Sequence, residues 1–264
     1  MWYGQDLEKR KNWYSPVADA YNIGRPPYPQ KLINRAVELA QLPPEASILE
    51  IGCGPAIATK AFAKWGFSMV CLEPSQAFYQ LAGKNCANYP NVQFINTTFE
   101  EWELEVEKFD AVLAANSFHW VSKEIKHQKA AAALKENGSI ILLWNTPPEP
   151  KSEILQLLEK VGGEEVKFIS PYEEIQTYKK NLGEFGENLI ESGFFNNLAS
   201  EHLMSEVDYN IDDYLALLDS LSPYIALERN KRDSLFASLS KTLEKSCQNN
   251  IPTSYLSMFH VADR

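Results

Sequence analysis

The chain has 264 residues, 45% of them hydrophobic and 23% charged, and carries a formal net charge of −10. That length suits one large α/β domain with insertions, and the apolar content suits a packed core. No Lys/Arg block offsets the acidic excess. The composition therefore disfavours duplex nucleic acid, whose phosphates need a basic footprint, and an anionic membrane surface.

The first residues, Met-Trp-Tyr-Gly-Gln-Asp, lack the basic segment and apolar run of a signal peptide, and no stretch approaches 18 uninterrupted apolar residues. Cys53, Cys71, Cys86 and Cys247 show no CxxC spacing. They read as reduced core thiols of a cytoplasmic protein. The histidines, at 119, 127, 202 and 260, are scattered, so no metal site is expected.

In chain order, Pro29–Ala40 reads as a helix stopped by Pro43-Pro44. Strands are expected at Ser47–Ile51, Ser68–Leu72, Val92–Asn96, Ala111–Ala115 and Ser139–Trp144. Helices are expected between them near Ile57–Trp65, Ser75–Asn88 and Ser122–Lys135, the last ended by Asn137-Gly138. This alternation implies a parallel sheet covered on both faces. Thr146–Pro150 is too proline-rich for an element interior, and Ser152–Val161 is helical. Two alternating strands, His202–Tyr209 and Ser254–Ala262, flank helices at Asp212–Leu221, capped by Asp212, and Lys231–Cys247.

The most informative stretch is Ala46-Ser-Ile-Leu-Glu-Ile-Gly-Cys-Gly-Pro-Ala-Ile57. An apolar strand runs into Gly52-x-Gly54, a helix follows, and Glu73 closes the next strand. Two glycines let backbone approach a ligand, and a carboxylate about 20 residues on suits a ribose. A dinucleotide site would want a third glycine where Ile57 stands, and would not call for Glu50 before the first glycine. A reductase would also want a Tyr-x-x-x-Lys pair, a spacing that Tyr178-Lys179-Lys180 does not give.

The pattern Glu50-x-Gly52-x-Gly54-x-Ala56 resembles motif I of the class I S-adenosylmethionine-dependent methyltransferases. Leu72-Glu-Pro-Ser75, Phe109–Val121 and Leu134–Leu142 resemble that family's later core motifs. Tyr21-x-x-x-Arg-Pro-Pro-Tyr-Pro29 and His119-Trp120 are similar to the type 11 small-molecule methyltransferases, including trans-aconitate methyltransferase-like proteins. The resemblance implies a Rossmann-like seven-stranded sheet, mostly parallel with an antiparallel last strand. Helices would lie on both faces, with extra helices capping the carboxyl edge. The whole of 1–264 would be one domain: a lid at 1–30, a cofactor-binding core at 31–146, and closing strands with an acceptor cap at 147–264.

The implied cofactor is S-adenosyl-L-methionine and the implied partner a small-molecule acceptor, on a monomer or homodimer. Gly52, Cys53 and Gly54 would cradle the methionine part, with Glu50 holding its ammonium. Glu73 would accept from the ribose hydroxyls and Pro74 would lie against adenine. Ala115 and Asn116 would take the ammonium from the other side, and Arg25 on the lid would pair with the carboxylate. Where many relatives carry Asp-Ala, this chain has Thr98-Phe99, so a hydroxyl replaces a charged acceptor for the adenine amino group. His119 is the candidate catalytic residue, either a general base or a pocket wall. Arg25 is either a lid contact or a solvated loop start. The aromatics at 168–185 either pack a core or form an apolar acceptor pocket. A fold that binds the cofactor without turnover is the alternative function.

Overall fold

The computed structural model describes residues 7–169 and 174–264, with side chains other than those of residues 7, 8, 10 and 162–169. Trp2, Tyr3 and Tyr172, and the side chain of Phe168, lie outside that description. Five parallel strands form the frame: β1 (Ser47–Ile51), β2 (Ser68–Leu72), β3 (Val92–Ile95), β4 (Phe109–Ala115) and β5 (Leu134–Asn145). They lie in the order β3-β2-β1-β4-β5. The first connections therefore run outward from β1, and the chain then crosses back to β4. The reversal leaves a crevice at the carboxyl ends of β1 and β4, where ligands bind in open α/β sheets.

Beside β5 runs β8 (Ile251–Asp263), antiparallel to it, and β7 (Asn196–Tyr209) pairs antiparallel with β8. The two-residue β6 (Glu149–Pro150) pairs with Ser254 and Thr253 of β8, whose other edge is taken by β7. It thus continues the line of β5, and the proline-rich loop rejoins the sheet at an edge that needs no proline N–H. The seven expected strands are all present, with β6 as an eighth.

Alternate residues of each central strand go to opposite faces, and both faces are buried. On one face Ile48, Cys71 and Leu113 pack with α3 (Gln30–Leu39), α4 (Ile57–Ala63) and α5 (Gln76–Asn85). On the other, Leu49, Val112 and Leu142 pack with α6 (Lys126–Ala133) and α8 (Ile175–Glu191). A third cluster joins Leu158 of α7 (Ser152–Ile169) to Tyr214 and Leu217 of α9 (Ile211–Asp219), Tyr224 of α10 (Ser222–Ile225) and Leu239 of α11 (Arg229–Ser246). The added helices therefore have a core of their own.

Two local expectations are corrected. The helix before β5 ends at Ala133, because Leu134 already pairs with Phe109 across the sheet. Asn137-Gly138 lies within β5 and ends no helix. Gly138 matters there because a Cβ would meet the carbonyls of Asp110 and Lys135 at 3.1 Å. The cap of α9 is Asn210, which accepts from Asp213 N at 2.8 Å, and Asp212 sits inside the first turn.

Candidate functional site

The turn leaving β1 is forced by geometry. Gly52 and Gly54 have φ of +64° and +56°, conformations open to glycine without steric cost. A Cβ on Gly52 would lie 2.9 Å from the Ser117 Cβ, whereas one on Gly54 would meet nothing within 4 Å. Gly52 thus lets the ends of β1 and β4 close together, and Gly54 faces open space. Ala56, the small residue of the motif, also takes a left-handed conformation, φ +69°, before α4.

This turn forms one wall of a cavity of about 150 Å³ at the carboxyl ends of β1, β2 and β4. Of the residues singled out in the sequence, Gly52, Cys53, Gly54, Ala115 and Asn116 line it on the β1 and β4 side. Glu73, Pro74, Thr98 and Phe99 line the β2 and β3 side, and Arg25 faces them.

Glu73 ends β2 with its carboxylate gripped by backbone: Gly54 N donates to Oε2 and Ser75 N to Oε1, both at 2.8 Å. Burial pushes its carboxyl up to about 7 against those two stabilising bonds. Each oxygen retains a lone pair for a ligand hydroxyl. Ser75 in turn caps α5, accepting from Phe78 N. Asn116, φ +51°, staples β4 to β5: Asn145 N donates to its Oδ1 at 3.0 Å and its Nδ2 donates to Asn145 O at 3.1 Å.

Two expected residues are not on the cavity wall. Glu50 is fully buried behind it, where Thr59 Oγ1 donates to Oε2 at 2.6 Å and the Cys71 thiol lies 3.7 Å from the same oxygen. Its Oε1 has no partner, and burial raises its carboxyl to about 8. A direct bond from Glu50 to a ligand ammonium is therefore not prepared in this geometry. His119 sits on a one-turn helix, Phe118–Trp120, that directs Trp120 to the cavity and the histidine away from it. Its ring packs near Trp144 and Phe185, at 5.5 and 6.1 Å between centroids. Burial, helped by Lys126, lowers it to about 4. Its ring therefore packs in an aromatic cluster, where burial disfavours the charged form.

Thr98 lines the cavity with its hydroxyl engaged in its own turn. Its hydroxyl donates to Glu101 Oε2 at 2.9 Å and accepts from Glu101 N at 3.1 Å, which commits it to its own turn. The same loop brings Glu100 to the cavity, a residue the sequence did not single out.

The opposite wall comes from the N-terminal segment, with Tyr14, Tyr21, Arg25 and Tyr28 lining the cavity. Tyr14 meets Tyr21 and Trp120 edge-on at 5.6 and 5.8 Å. Arg25 donates to the Ser220 side chain and carbonyl at 2.8 and 2.7 Å and stacks over Tyr21. Among the described residues no carboxylate pairs with it. The strap is tied down by Tyr209 donating to Gly24 O at 2.7 Å, Tyr255 to Pro27 O at 3.0 Å, and the Tyr14–Ser222 hydroxyl contact at 2.8 Å.

Every described residue lining the cavity lies at or before Thr146. Among the described aromatics of the C-terminal half, none lines the cavity. Tyr209 and Tyr214 belong to the added helical core, and Phe185 stacks on Trp144 at 4.2 Å. The added helices hold the strap from behind. Lys11, Ser117, Asn145 and Thr146 also line the cavity and were not read from the sequence. Only the strap's path and the strand pairing bring them there.

Residues 48–138, from β1 into β5, match a family model described as a methyltransferase domain. That stretch is similar to a methyltransferase domain. The match includes the carboxyl ends of β1, β2 and β4. An uncharacterized methyltransferase of Mycobacterium tuberculosis is 28% identical over 149 residues, which is 56% of this chain and 58% of that protein. A probable S-adenosylmethionine-dependent methyltransferase of Saccharomyces cerevisiae is 27% identical over 133 residues, 49% of this chain and 45% of that one. The chain thus spans about half the length of these relatives. The solved structure of a putative type II methyltransferase from Anaeromyxobacter dehalogenans shares the fold, with a TM-score of 0.63 at 18% identity, covering 90% of this chain and 97% of its own. The expected cofactor, S-adenosyl-L-methionine, agrees with the methyltransferase domain. Among the described residues no helix is long and apolar enough to cross a membrane, and no cluster of His, Cys, Asp or Glu could hold a metal.

Proposed function

We propose that the chain transfers a methyl group from S-adenosylmethionine to a small-molecule acceptor by in-line displacement. The observation that carries this is the single cavity joining Gly52, Gly54 and Glu73 to an Arg25 without a carboxylate partner among the described residues. Those groups fit the parts of the cofactor. Glu73 accepts the ribose hydroxyls, Gly54 leaves room for the methionine part, and Arg25 pairs with the carboxylate, a charge-assisted bond of the strong kind. The similarity to type 11 methyltransferases supports the same reading.

When bound, S-adenosylmethionine supplies an electrophilic methyl on a sulfonium. This chain's own contribution is to hold and enclose. Orientation of the reacting atoms is worth up to ~7–11 kcal/mol by effective-molarity arguments. The strap, with Tyr14, Tyr21 and Trp120, keeps water from the reacting centre. With His119 turned away and Tyr21 and Tyr28 held protonated by burial, the walls favour an acceptor whose attacking lone pair is already free. The test is incubation with methyl-labelled S-adenosylmethionine and a cell extract split into metabolite, protein and nucleic-acid fractions. Label in the metabolite fraction is expected. Label confined to macromolecules, or a bound cofactor with no transfer, contradicts the proposal.

A further inference from the structure

In the function proposed above, two separate pieces of chain grip the amino-acid end of the cofactor. One is the glycine turn, where Gly54 and Pro55 line the cavity before Ala56 leads into α4. The other is Arg25, the C-cap of α2, whose N–H donates to Tyr21 O. They are far apart in sequence, so their spacing depends on tertiary contacts.

Asn85, the last residue of α5, joins the two through its side chain. Its Nδ2 donates to Pro55 O and to Asn22 Oδ1, both at 2.8 Å. The Pro55 carbonyl can only accept, so the amide nitrogen of Asn85 must face it. The second hydrogen of that nitrogen then requires the oxygen of Asn22, and both amides are fixed. One bond holds the peptide before Ala56, which takes a left-handed conformation at φ +69°. The other holds α2, the helix that ends at Arg25. Beside Asn22, Tyr21 meets Phe78 of α5 edge-on at 5.2 Å, so the polar bond sits in a packed seam. Asn22 and Asn85 are half-buried, and neither lines the cavity. Asn85 therefore acts on a ligand only through the groups it holds.

We propose that Asn85 is a positioning residue that sets the spacing between the Gly54 turn and Arg25, and with it the grip on the amino-acid end of the cofactor. The nucleoside end, at Glu73, does not depend on it. This rests on the cavity being the S-adenosylmethionine site. The test is calorimetric titration of the full chain with S-adenosylhomocysteine and with methylthioadenosine, which keeps the nucleoside and sulfur but lacks the amino-acid end. The wild type should bind both, the homocysteine compound more tightly. Asn85→Leu, similar in size, removes both bonds. It should weaken S-adenosylhomocysteine binding roughly five- to tenfold, the scale of a neutral hydrogen bond, and leave methylthioadenosine binding unchanged. Unchanged binding of the second compound also shows that the variant is folded. Asn22→Ala removes only the α2 half and should give the same selective loss to a smaller degree. Adding it to Asn85→Leu should cost nothing more, because that bond is already gone. Equal losses for both compounds, full S-adenosylhomocysteine affinity in Asn85→Leu, or additive losses in the double variant each overturn the inference alone. A wild type that binds neither compound defeats the cofactor reading, and this inference with it.

Discussion

Gly52 and Gly54 have nearly the same backbone conformation, so replacing each by alanine separates what the turn does for the fold from what it does for the ligand. At either position a side chain in the left-handed region costs about 1–2 kcal/mol. At Gly52 the new Cβ would also sit 2.9 Å from Ser117 Cβ. Ser117 is held by its own bond to Ile51 O, so it yields poorly, and overpacking adds roughly 1–3 kcal/mol. Gly52→Ala should thus lose about 2–5 kcal/mol of stability, lowering the thermal midpoint by ~4–20 °C. Gly54→Ala carries only the backbone share, a fall of ~2–8 °C, because nothing lies within 4 Å of its Cβ. That open space is the cavity, so Gly54→Ala should weaken S-adenosylhomocysteine binding well beyond its effect on stability. Thermal melts followed by circular dichroism, with calorimetric titration of both variants, make the comparison. Equal destabilisation by the two, or unimpaired binding by Gly54→Ala, refutes the reasoning.

Two further outcomes follow from burial and close approach. Gly24 packs α2 (Ala18–Gly24) against α9, and a Cβ there would lie 2.3 Å from Leu217 N and 2.4 Å from its Cα. Backbone cannot rotate away, so Gly24→Ala should cost at least ~3 kcal/mol, the upper end for overpacking, and should loosen Arg25 from the wall; an unchanged melt contradicts the packing. Burial raises the folded-state carboxyls of Glu50 and Glu73 to about 8 and about 7, above the 4.5 of an exposed glutamate. Between those values the folded chain keeps protons that the unfolded chain releases. The associated stability is full below about 4.5 and is lost as pH rises through about 7 and then 8. The thermal midpoint of the ligand-free protein should fall from pH 5 to pH 9, and Glu50→Gln should flatten the upper part of that fall. An unaltered slope in that variant shows that Glu50 is not the titrating group.

β1, β2 and β4 were legible as apolar runs, β1 ended by a glycine turn and β2 by an acidic residue, and β3 as a short run between polar residues. The start of β5 was not. The alanine-rich run into Leu134 has high helix propensity, and only the long-range pairing of Leu134 with Phe109 ends the helix. Position at a strand end likewise did not reveal direction. His119 and Trp120 are adjacent, yet one turn of helix sends the tryptophan to the cavity and the histidine into the Trp144–Phe185 cluster. Lys11, Asn145 and Thr146 carried no motif, and they join the cavity only through tertiary structure. Gly52, Gly54 and Glu73 were legible because the backbone conformation and the strand-end carboxylate are written in residue type.

The central claim is that the cavity edged by Glu73 holds S-adenosylmethionine, and calorimetric titration of the wild type and Glu73→Ala with S-adenosylhomocysteine tests it most directly. The account predicts micromolar or tighter binding by the wild type. The variant should lose ~1.5–3 kcal/mol, the range for hydrogen bonds to a charged group, while remaining folded. No binding by the wild type, or wild-type affinity in Glu73→Ala, would contradict it.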